Sequence, residues 1–328
     1  MLALTDRPDA MAGLLPALPP SVAWRRADDL DSPTEDVWHA LAGSAPAWTL
    51  ETDVPGPAGR AWPRLLLLSD VGVSPFDVLH AHLANAVGLL GGVACLALRG
   101  GRFHGDHGRR WRAAEGNLHL SAAVATCLPA ASHGLALTML PAVAVTDAIR
   151  AATHDAVGPG IKWVNDVVVD DGTIAGVLAA SRIFRDQIDF AVFGVGVNVR
   201  AVPDLAPNPF VPAPRGLRDC QGAEKVTLGQ VLWHVLDALS TRLAQLEGEG
   251  PAPLKRDYRR LSVAIGRRVR VWDVAIPDET DLDAWPAARA AGVVVDIDEN
   301  LGLHLEGRGG AIAVGRLAFE EDCVAFGL

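Results

Sequence analysis

Gly160-Ile-Lys-Trp-Val-Asn-Asp-Val-Val-Val-Asp-Asp-Gly-Thr-Ile-Ala-Gly-Val-Leu178 is the segment that decides the fold of this chain. Two apolar, β-branched runs within it, 167–169 and 174–178, flank the sequence Asp170-Asp171-Gly172. Such runs around an Asp-Gly pair predict a β-hairpin, because Asp-Gly supplies the positive φ that tight turns need. The segment therefore predicts two adjacent antiparallel strands.

One end of this hairpin gathers polar residues and a glycine. They are Lys162, Asn165, Asp166 and Gly176. Only three of the 29 basic residues of the chain are lysine, and Lys162 opens an apolar strand, where a cation is costly unless it is paired. Two roles are open for Lys162: pairing with a carboxylate at the end of the sheet, which we favour, or reaching a bound phosphate.

A third strand, predicted over 190–199, carries Gly194 and Gly196 at a spacing of two. Residues two apart on a strand point to the same face, so this face lacks two side chains. A bare face weakens a strand but lets a flat ligand approach the backbone. The sequence thus predicts a flat binding surface beside the hairpin.

Length and composition indicate a globular protein. The 328 residues fit about two domains at roughly 150 residues each, and 50% of them are hydrophobic and 21% charged. The net charge of −10 argues against general nucleic-acid binding, which needs a basic face. The longest apolar stretch considered, 83–98, is interrupted and too short for the roughly 20 residues of a membrane span. We therefore expect neither nucleic acid nor membrane as a partner.

The cysteines and the N-terminus point to a cytoplasmic protein. The four cysteines are dispersed, without the close pairs of a zinc or redox site. They are Cys95, Cys127, Cys220 and Cys323. The N-terminus lacks a basic region followed by an apolar core, so we predict no signal peptide.

A loop rich in glycine and arginine follows the strand predicted over 93–98. Arg102, Arg109 and Arg110 offer forked donors for phosphate or carboxylate, and the glycines leave backbone amides free to face an anion. A solvated surface turn is the alternative interpretation of this loop. His104 and His107 lack a nearby third ligand, so we predict no metal site there.

The remaining segments predict flanking helices and a second, small β unit. Residues 1–60 are either an arm on the main domain or a mobile tail, and the sequence does not decide between them. Short strands separated by turns after 253 predict a small antiparallel barrel, with Asn300 and Gly302 as positive-φ residues of one turn. The predicted helices cover 34–41, 75–90, 141–153 and 227–246. The other predicted strands begin at 116 or cover 65–68, 93–98, 135–140, 268–272, 293–297, 303–305 and 311–317.

From residue 65 to the C-terminus, the chain resembles the biotin–protein ligases and the related lipoate ligases. The resemblance rests on Lys162-Trp-Val-Asn-Asp166, Ala175-Gly-Val-Leu178 and Gly194-Val-Gly-Val-Asn198, in this order and spacing, and on the arginine-glycine loop. It implies an α/β (α+β) fold, a mixed sheet with flanking helices followed by a small C-terminal β-barrel. The expected division is an N-terminal extension over 1–60, a catalytic domain over 61–250 and the barrel over 254–328.

The resemblance implies an ATP-dependent ligase with Mg²⁺. Biotin, lipoate or a related acid would be activated as an acyl-adenylate and passed to a lysine of a biotinyl or lipoyl carrier domain, and a homodimer is possible. The implied catalytic residues are Arg102, Arg109, Lys162 and Asp166, and no protein metal site is expected. The implied substrate-binding residues are Ser74, Arg110, Trp111, Asn117, Asn165, Thr173, Gly176, Gly194, Gly196 and Asn198.

Departures from the family pattern leave alternatives open. The family usually has a lysine where this chain has Thr173, and a hydroxyl cannot supply that charge. Ser74-Pro75-Phe76 stands where the family has Ser-Thr-Asn, and Asp106 and His107 stand where it usually has cations. The alternatives are an acid-binding protein that has lost catalysis, and an acyltransferase that does not use ATP.

Overall fold

A computed structural model of the chain describes residues 1–11, 13–15, 23–27, 29–52, 57–83, 92–204, 206–211, 213–274, 276 and 285–328. Its strands are β1 (Leu2–Thr5), β2 (Arg25–Arg26), β3 (Trp48–Glu51), β4 (Arg64–Leu68), β5 (Val93–Ala97), β6 (Leu118–Pro129), β7 (Gly160–Lys162), β8 (Asp166–Val169), β9 (Gly172–Phe184), β10 (Gln187–Val197), β11 (Arg268–Trp272), β12 (Ala290–Ile297), β13 (Leu303–Leu305) and β14 (Arg316–Phe319). Its helices are α1 (Ser32–Ala42), α2 (Pro57–Ala61), α3 (Pro75–Leu83), α4 (Ala130–Ala152), α5 (Leu228–Glu249), α6 (Ala252–Leu261) and α7 (Glu320–Ala325).

The larger sheet of the described residues is mixed and has ten strands. Their order is β2-β3-β1-β4-β5-β6-β10-β9-β8-β7. The pairs β1–β4 and β4–β5 are parallel, and the other neighbours are antiparallel. β6, β9 and β10 are the longest strands and form the centre of the sheet. This architecture confirms the predicted α/β fold with a mixed sheet and flanking helices.

The predicted hairpin is present as β8 and β9, but its turn differs from the prediction. Asp170 and Asp171 adopt the positive φ values, 47° and 62°, and Gly172 is already the first residue of β9. Aspartate tolerates the left-handed region better than most residues because its short polar side chain can bond locally. The Asp-Asp pair therefore forms the turn.

One predicted strand, 135–140, is wrong, because these residues lie inside α4. The run is apolar on successive positions because α4 is buried on most of its surface, and periodicity cannot distinguish such a run from a buried strand. Pro141, taken as the start of a helix, is an internal residue of α4. α4 is also long and apolar enough to cross a membrane, but 72% of its most apolar window is buried, as in a core helix.

Helices cover both faces of the sheet. Side chains of α4 and α5 form the larger core with one face, and α1 and α3 cover the other face. Thr227 and Gln230 cap the start of α5 reciprocally, close to the predicted start of this helix. α3 confirms the start of the predicted helix at Pro75, and the predicted continuation over 84–90 lies outside the described residues.

The N-terminal residues add strands to the sheet. β1 pairs in parallel with β4 and antiparallel with β3, and Ala3 and Leu4 are fully buried. β2 pairs with the far side of β3. The described N-terminal strands thus belong to the main sheet, an arrangement that the sequence left undecided.

The C-terminal strands form a small antiparallel sheet in the order β13-β12-β11-β14. β11 and β13 match their predicted positions, β12 begins three residues earlier than predicted, and β14 begins at Arg316, five residues later than predicted. In the turn before β13, Leu301 adopts the positive φ of 60°, and the prediction of Asn300 and Gly302 for this role was wrong. Asp298 stabilises the turn by accepting from the backbone amides of both. A four-stranded sheet is what the described residues show in place of the predicted barrel.

Candidate functional site

A row of five residues crosses five neighbouring strands of the large sheet. His119, Gly196, Gly176, Asp166 and Lys162 are successive register partners on β6, β10, β9, β8 and β7. Directly paired residues of antiparallel strands point to the same face. The row therefore places two bare positions between an imidazole and a carboxylate, and the predicted glycine surface is part of it.

The indole of Trp111 covers the two glycines of this row. A Cβ atom added to Gly196 would lie 2.4 Å from the Trp111 ring, and one added to Gly176 would lie 3.3 Å from it. Real Cβ atoms essentially never approach to 2.4 Å, so Gly196 is required by the position of this ring. The bare face predicted for a flat ligand thus holds an aromatic side chain of the chain itself.

A second row lies two residues further along the strands. Ser121, Gly194 and Leu178 are register partners there, and a Cβ atom at Gly194 would lie 3.0 Å from the Phe76 ring. Ser74, the residue before α3, is buried and faces the same space. This end of the site combines aromatic and aliphatic walls with two hydroxyl groups.

The two rows form the floor of a cavity of about 1090 Å³, including its mouth. The arginine-glycine loop forms the opposite wall. Within the loop, residues 103–105 pair with residues 109–111. Gly105 N–H donates to Arg109 O at 2.6 Å, and Trp111 N–H donates to Phe103 O at 3.0 Å. The loop in the structure is an ordered element over the cavity.

His104 anchors this loop to α3. Its Nε2 lies 2.9 Å from a carboxylate oxygen of Asp77, and its Nδ1 lies 3.1 Å from the Gly105 carbonyl oxygen. Burial lowers the pKa of His104, but the hydrogen bonds to Asp77 and Gly105 outweigh burial and raise the pKa above its ordinary value. The contacts of His104 therefore hold the loop against α3.

Four cationic side chains of the described residues line the cavity. They are Arg109, Arg110, Arg112 and Arg316. Arg109 Nε donates to the Asp106 backbone oxygen at 3.0 Å, and this hydrogen bond restrains the guanidinium group. Arg102, the loosest of the predicted loop cations, is exposed and does not line the cavity.

Arg316 reaches the cavity from β14 of the C-terminal sheet. Its guanidinium lies 3.7 Å above the Phe210 ring, and its Nη1 donates to the Ile276 carbonyl at 2.6 Å. Arg316 is 5% exposed, so its charge acts in a poorly solvated environment. The cavity is therefore built from both sheets.

The turn between β7 and β8 presents Asn165 and Asp166 to the cavity. Asn165 Nδ2 donates to the Val177 carbonyl at 3.0 Å, and Val177 N–H donates to the Asn165 carbonyl at the same distance. The buried Tyr258 hydroxyl donates to the Val164 carbonyl at 2.7 Å, and the Trp163–Val164 peptide is cis. These hydrogen bonds fix the backbone of the two residues before Asp166.

Lys162 does not line the cavity. Its Nζ donates to the Phe210 carbonyl at 2.6 Å and lies 5.2 Å from the Phe319 ring centroid, and the residue is 3% exposed. Burial lowers the pKa of Lys162, while the charges of Asp166 and Asp322 oppose this shift. These contacts place the Lys162 ammonium between the two sheets rather than against the cavity.

Asn117 lies behind the cavity wall. It is fully buried, and its side-chain oxygen accepts from the backbone amides of Val199, Arg200 and Ala201 at 2.9–3.1 Å. Its Nδ2 donates to the side-chain oxygen of Asn198, which does line the cavity. Asn117 therefore shapes the loop after β10.

Thr173 lines the cavity at the start of β9. Its backbone pairs with the connection after β10, where its N–H donates to Ala213 O and its carbonyl accepts from Arg215 N–H, both at 2.9 Å. The residue is 8% exposed. A longer cationic side chain at position 173 would therefore extend from the cavity wall into or along the cavity.

The described residues contain no group of three His, Cys, Asp or Glu side chains that could hold a metal by themselves. Asp106 and Asp166 are the carboxylates in the cavity wall. Mg²⁺ keeps several waters and commonly binds one or two carboxylates together with substrate phosphates. The donors present fit a magnesium ion that arrives with a nucleotide.

Among the cavity residues that were not predicted site residues are Phe76, His119 and Arg316. Phe76 and His119 stand in segments that carry predicted site residues, and their strand register or helix phase points them inward. Arg316 had no such signal, because β14 comes from a separate sheet more than 100 residues later in the chain. Its placement depends on how the two sheets pack.

Comparisons with known proteins agree with this architecture. No family model matches the sequence. The chain is 31% identical over 262 residues to the biotin–[acetyl-CoA-carboxylase] ligase of Mycobacterium tuberculosis, covering 78% of this chain and 88% of that protein. It is 28% identical over 167 residues to the bifunctional ligase/repressor BirA of Bacillus spizizenii, covering 51% of this chain and 50% of BirA. The solved biotin protein ligase from Aquifex aeolicus, in complex with biotin and ATP, has a TM-score of 0.56 at 20% identity, covering 78% of this chain and 98% of that one.

Proposed function

Because this chain belongs to the biotin–protein ligase family, we propose that it uses ATP to activate biotin or a closely related carboxylic acid and transfers the acyl group to a lysine of a carrier domain. An acid oxygen would attack the α-phosphorus of ATP and release pyrophosphate. The carrier amine would then attack the acyl carbon and release AMP. We expect this reaction in the cytoplasm, with a biotinyl carrier domain as the partner.

The observation that carries this proposal is the division of the cavity into an apolar part and a cationic part. Phe76, Trp111 and Leu178 line the first, where the body of an acid would be shielded from water. Arg109 and Arg316 line the second, where both also border an adjoining pocket with Asp166, and negative charge would build up there as carboxylate and phosphate join. Such a division places the reacting group of an acid at the charged end.

The residues at the charged end are proposed to act by electrostatic stabilisation. Arg109 and Arg110 would hold the carboxylate and the α-phosphate, and the buried guanidinium of Arg316 would add charge from the C-terminal sheet. Asp166, with Asp106 beside the loop, would hold Mg²⁺, which supplies charge neutralisation to the phosphates. Asn165 and Asn198 would position the nucleotide or the acceptor lysine.

The loop over the cavity would exclude water. A mixed anhydride of acid and phosphate hydrolyses, so the site must stay covered until the carrier lysine arrives. His104 and Asp77 hold the loop on α3 at a distance of 2.9 Å. This anchoring supports a role of the loop as the cover of the intermediate.

A second candidate is an acid-binding protein without adenylation. Thr173 favours it, because this position in the cavity wall lacks the lysine expected from the family pattern. Lipoate is the alternative ligand for both candidates, since the described residues at the apolar end of the cavity offer two hydroxyl groups, of Ser74 and Ser121, for selecting a head group. The two candidates differ in whether ATP is consumed.

ATP–pyrophosphate exchange in the presence of Mg²⁺ and each acid tests the proposal. We expect exchange that depends on biotin, and a loss of about 10²-fold or more in Arg109→Met, because one preorganised charge near the reacting atoms is removed. Arg256→Met, on an exposed position of α6, is the matched control. Absence of exchange in the wild type together with calorimetric binding of an acid would support the second candidate, and absence of both would refute the two.

A further inference from the structure

We infer that His119 is a positioning residue of the acid site, which holds the indole of Trp111 against Gly176 and Gly196. In this arrangement the indole forms one wall of the space that the acid enters. The expected effect on acid binding rests on the proposed function, which names the acid as the molecule that contacts the indole. The geometry of the His119–Trp111 pair carries the rest.

Both ring nitrogens of His119 have partners in the structure. Trp111 Nε1 lies 3.2 Å from His119 Nδ1, and His119 Nε2 lies 3.0 Å from the Ala114 carbonyl oxygen. An indole N–H only donates and a carbonyl only accepts, so Nδ1 must be the acceptor and Nε2 must carry the proton. A neutral imidazole with one defined tautomer satisfies both bonds.

The surroundings of His119 keep it in this neutral form. The residue is 3% exposed, and the Phe103 ring packs against it with a centroid distance of 5.7 Å. An apolar side chain would satisfy such a site as well, so the imidazole nitrogens need another explanation. The hydrogen bonds of these nitrogens to Trp111 and Ala114 provide this explanation, because Trp111 is the last residue of the arginine-glycine loop and Ala114 lies in the segment that follows it.

The backbone contact of Trp111 does not determine where its ring lies. Trp111 N–H donates to Phe103 O at 3.0 Å, which fixes the main chain but leaves the side-chain torsions free. The ring position is set by its edge, where Nε1 meets His119, and by its face, which lies against Gly176 and Gly196. Removing the acceptor at His119 would allow the indole to leave the glycines.

The position of the ring determines the shape offered to a ligand. A Cβ atom at Gly196 would lie only 2.4 Å from the indole, so the ring fills the depth that side chains normally occupy. An acid bound at Ser74 and Leu178 must pass this ring to bring its carboxylate to Arg109. The indole thus sets the width of the passage between the apolar and cationic parts.

The variants His119→Asn and His119→Leu separate positioning from filling of space. Their side chains have nearly the same shape, but only asparagine keeps an acceptor close to the position of Nδ1. We expect His119→Leu to raise KM for the acid about fivefold to tenfold with a smaller change in kcat, as loss of a single hydrogen bond predicts. His119→Asn should restore most of the affinity, and equal KM values for the two variants would overturn the inference.

The indole ¹H–¹⁵N resonance of Trp111, assigned with Trp111→Phe, provides a readout that is independent of turnover. We expect this resonance to move in His119→Leu and to stay near its wild-type position in His119→Asn, whereas no movement in either variant would refute the inference. If the wild-type protein turned over no acid, the proposed function would fail while this spectrum still decided the position of the ring.

A double-mutant cycle remains informative if His119→Leu folds poorly. Trp111→Phe removes the donor and keeps an aromatic ring, so it should raise KM for the acid by a similar factor. His119→Val, which removes the acceptor with a smaller side chain than leucine, should raise KM in the wild-type background but change it no further in the Trp111→Phe background, because the hydrogen bond is already lost there. Additive effects of the two substitutions would contradict the proposed pairing.

Discussion

The buried imidazole of His119 contributes to the pH dependence of the free energy of unfolding, and one substitution should remove this contribution. Burial lowers the pKa of His119 from 6.5 to about 4, against the opposing effect of its hydrogen bond to Ala114. In the unfolded chain the same group titrates near its ordinary pKa of about 6.5. Between these two pKa values the unfolded state binds a proton that the native state does not bind.

The sign of the effect follows from this difference in bound protons. The contribution of His119 to the free energy of unfolding is complete above the unfolded pKa, and it decreases as the pH falls towards the folded pKa. The difference between 6.5 and about 4 corresponds to about 3 kcal/mol over the whole window, of which about 2 kcal/mol is lost by about pH 5. The native protein should therefore weaken on mild acidification.

Urea unfolding of wild type and His119→Asn at about pH 7.5 and about pH 5 measures this contribution. Other groups titrate in both proteins, so the difference between the two pH effects isolates His119. We expect the wild type to lose about 2 kcal/mol more than the variant. His154→Asn, at an exposed position with a φ of 49° that asparagine adopts readily, is the matched control and should keep the wild-type dependence. An equal loss in wild type and His119→Asn would refute the reasoning.

Three further substitutions test other parts of the account. Gly196→Ala should weaken acid binding in calorimetry by about tenfold or more, because its Cβ atom would lie 2.4 Å from the Trp111 ring, and unchanged affinity would contradict this packing. Thr173→Lys should increase the rate of ATP–pyrophosphate exchange about tenfold or more by adding a charge to the cavity wall, and a slower exchange would argue that Thr173 needs no lysine. Lys162→Met should lower the free energy of unfolding by about 1–3 kcal/mol, since the Phe210 carbonyl loses its buried donor, with KM for the acid changed less than twofold; a large KM effect at unchanged stability would restore Lys162 as a ligand contact.

Local patterns predicted the centre of the sheet well. The hairpin of β8 and β9 followed from composition and turn chemistry, and the spacing of Gly194 and Gly196 placed both on one face, as the register with β6 shows. The turn residues were wrong because aspartate and glycine both tolerate positive φ, and only the register of β9 decides between them. Short-range signals located these strands but not all of their ends, since β9 extends six residues beyond its predicted end and β10 begins three residues earlier than predicted.

Features that depend on contacts between distant segments could not be predicted in the same way. The run 135–140 has no local property that distinguishes a buried helix from a strand. The glycine face was predicted from residue spacing, but its coverage by Trp111 depends on how the arginine-glycine loop folds back, a property of tertiary packing. Arg316 enters the cavity from another sheet for the same reason.

Lys162 shows how local sequence signals and tertiary contacts combine. Lysine is scarce in this chain and Lys162 opens an apolar strand, which together predicted a functional or paired cation. In the structure Lys162 is surrounded by a carbonyl, an aromatic ring and two nearby carboxylates. The favoured alternative of a paired charge at the end of the sheet stays a prediction, because the hydrogen bond of Lys162 Nζ goes to a backbone carbonyl while the two carboxylates act through their charge. The charge that serves the ligand is accordingly proposed to come from arginines.

The intact mass of a purified biotin carrier domain, measured after incubation with this protein, ATP, Mg²⁺ and biotin, tests the central claim most directly. The account predicts a mass increase equal to one biotinyl group, dependent on ATP and abolished when the acceptor lysine of the carrier is replaced. An unmodified carrier, under conditions where an established biotin ligase modifies it completely, would contradict the account.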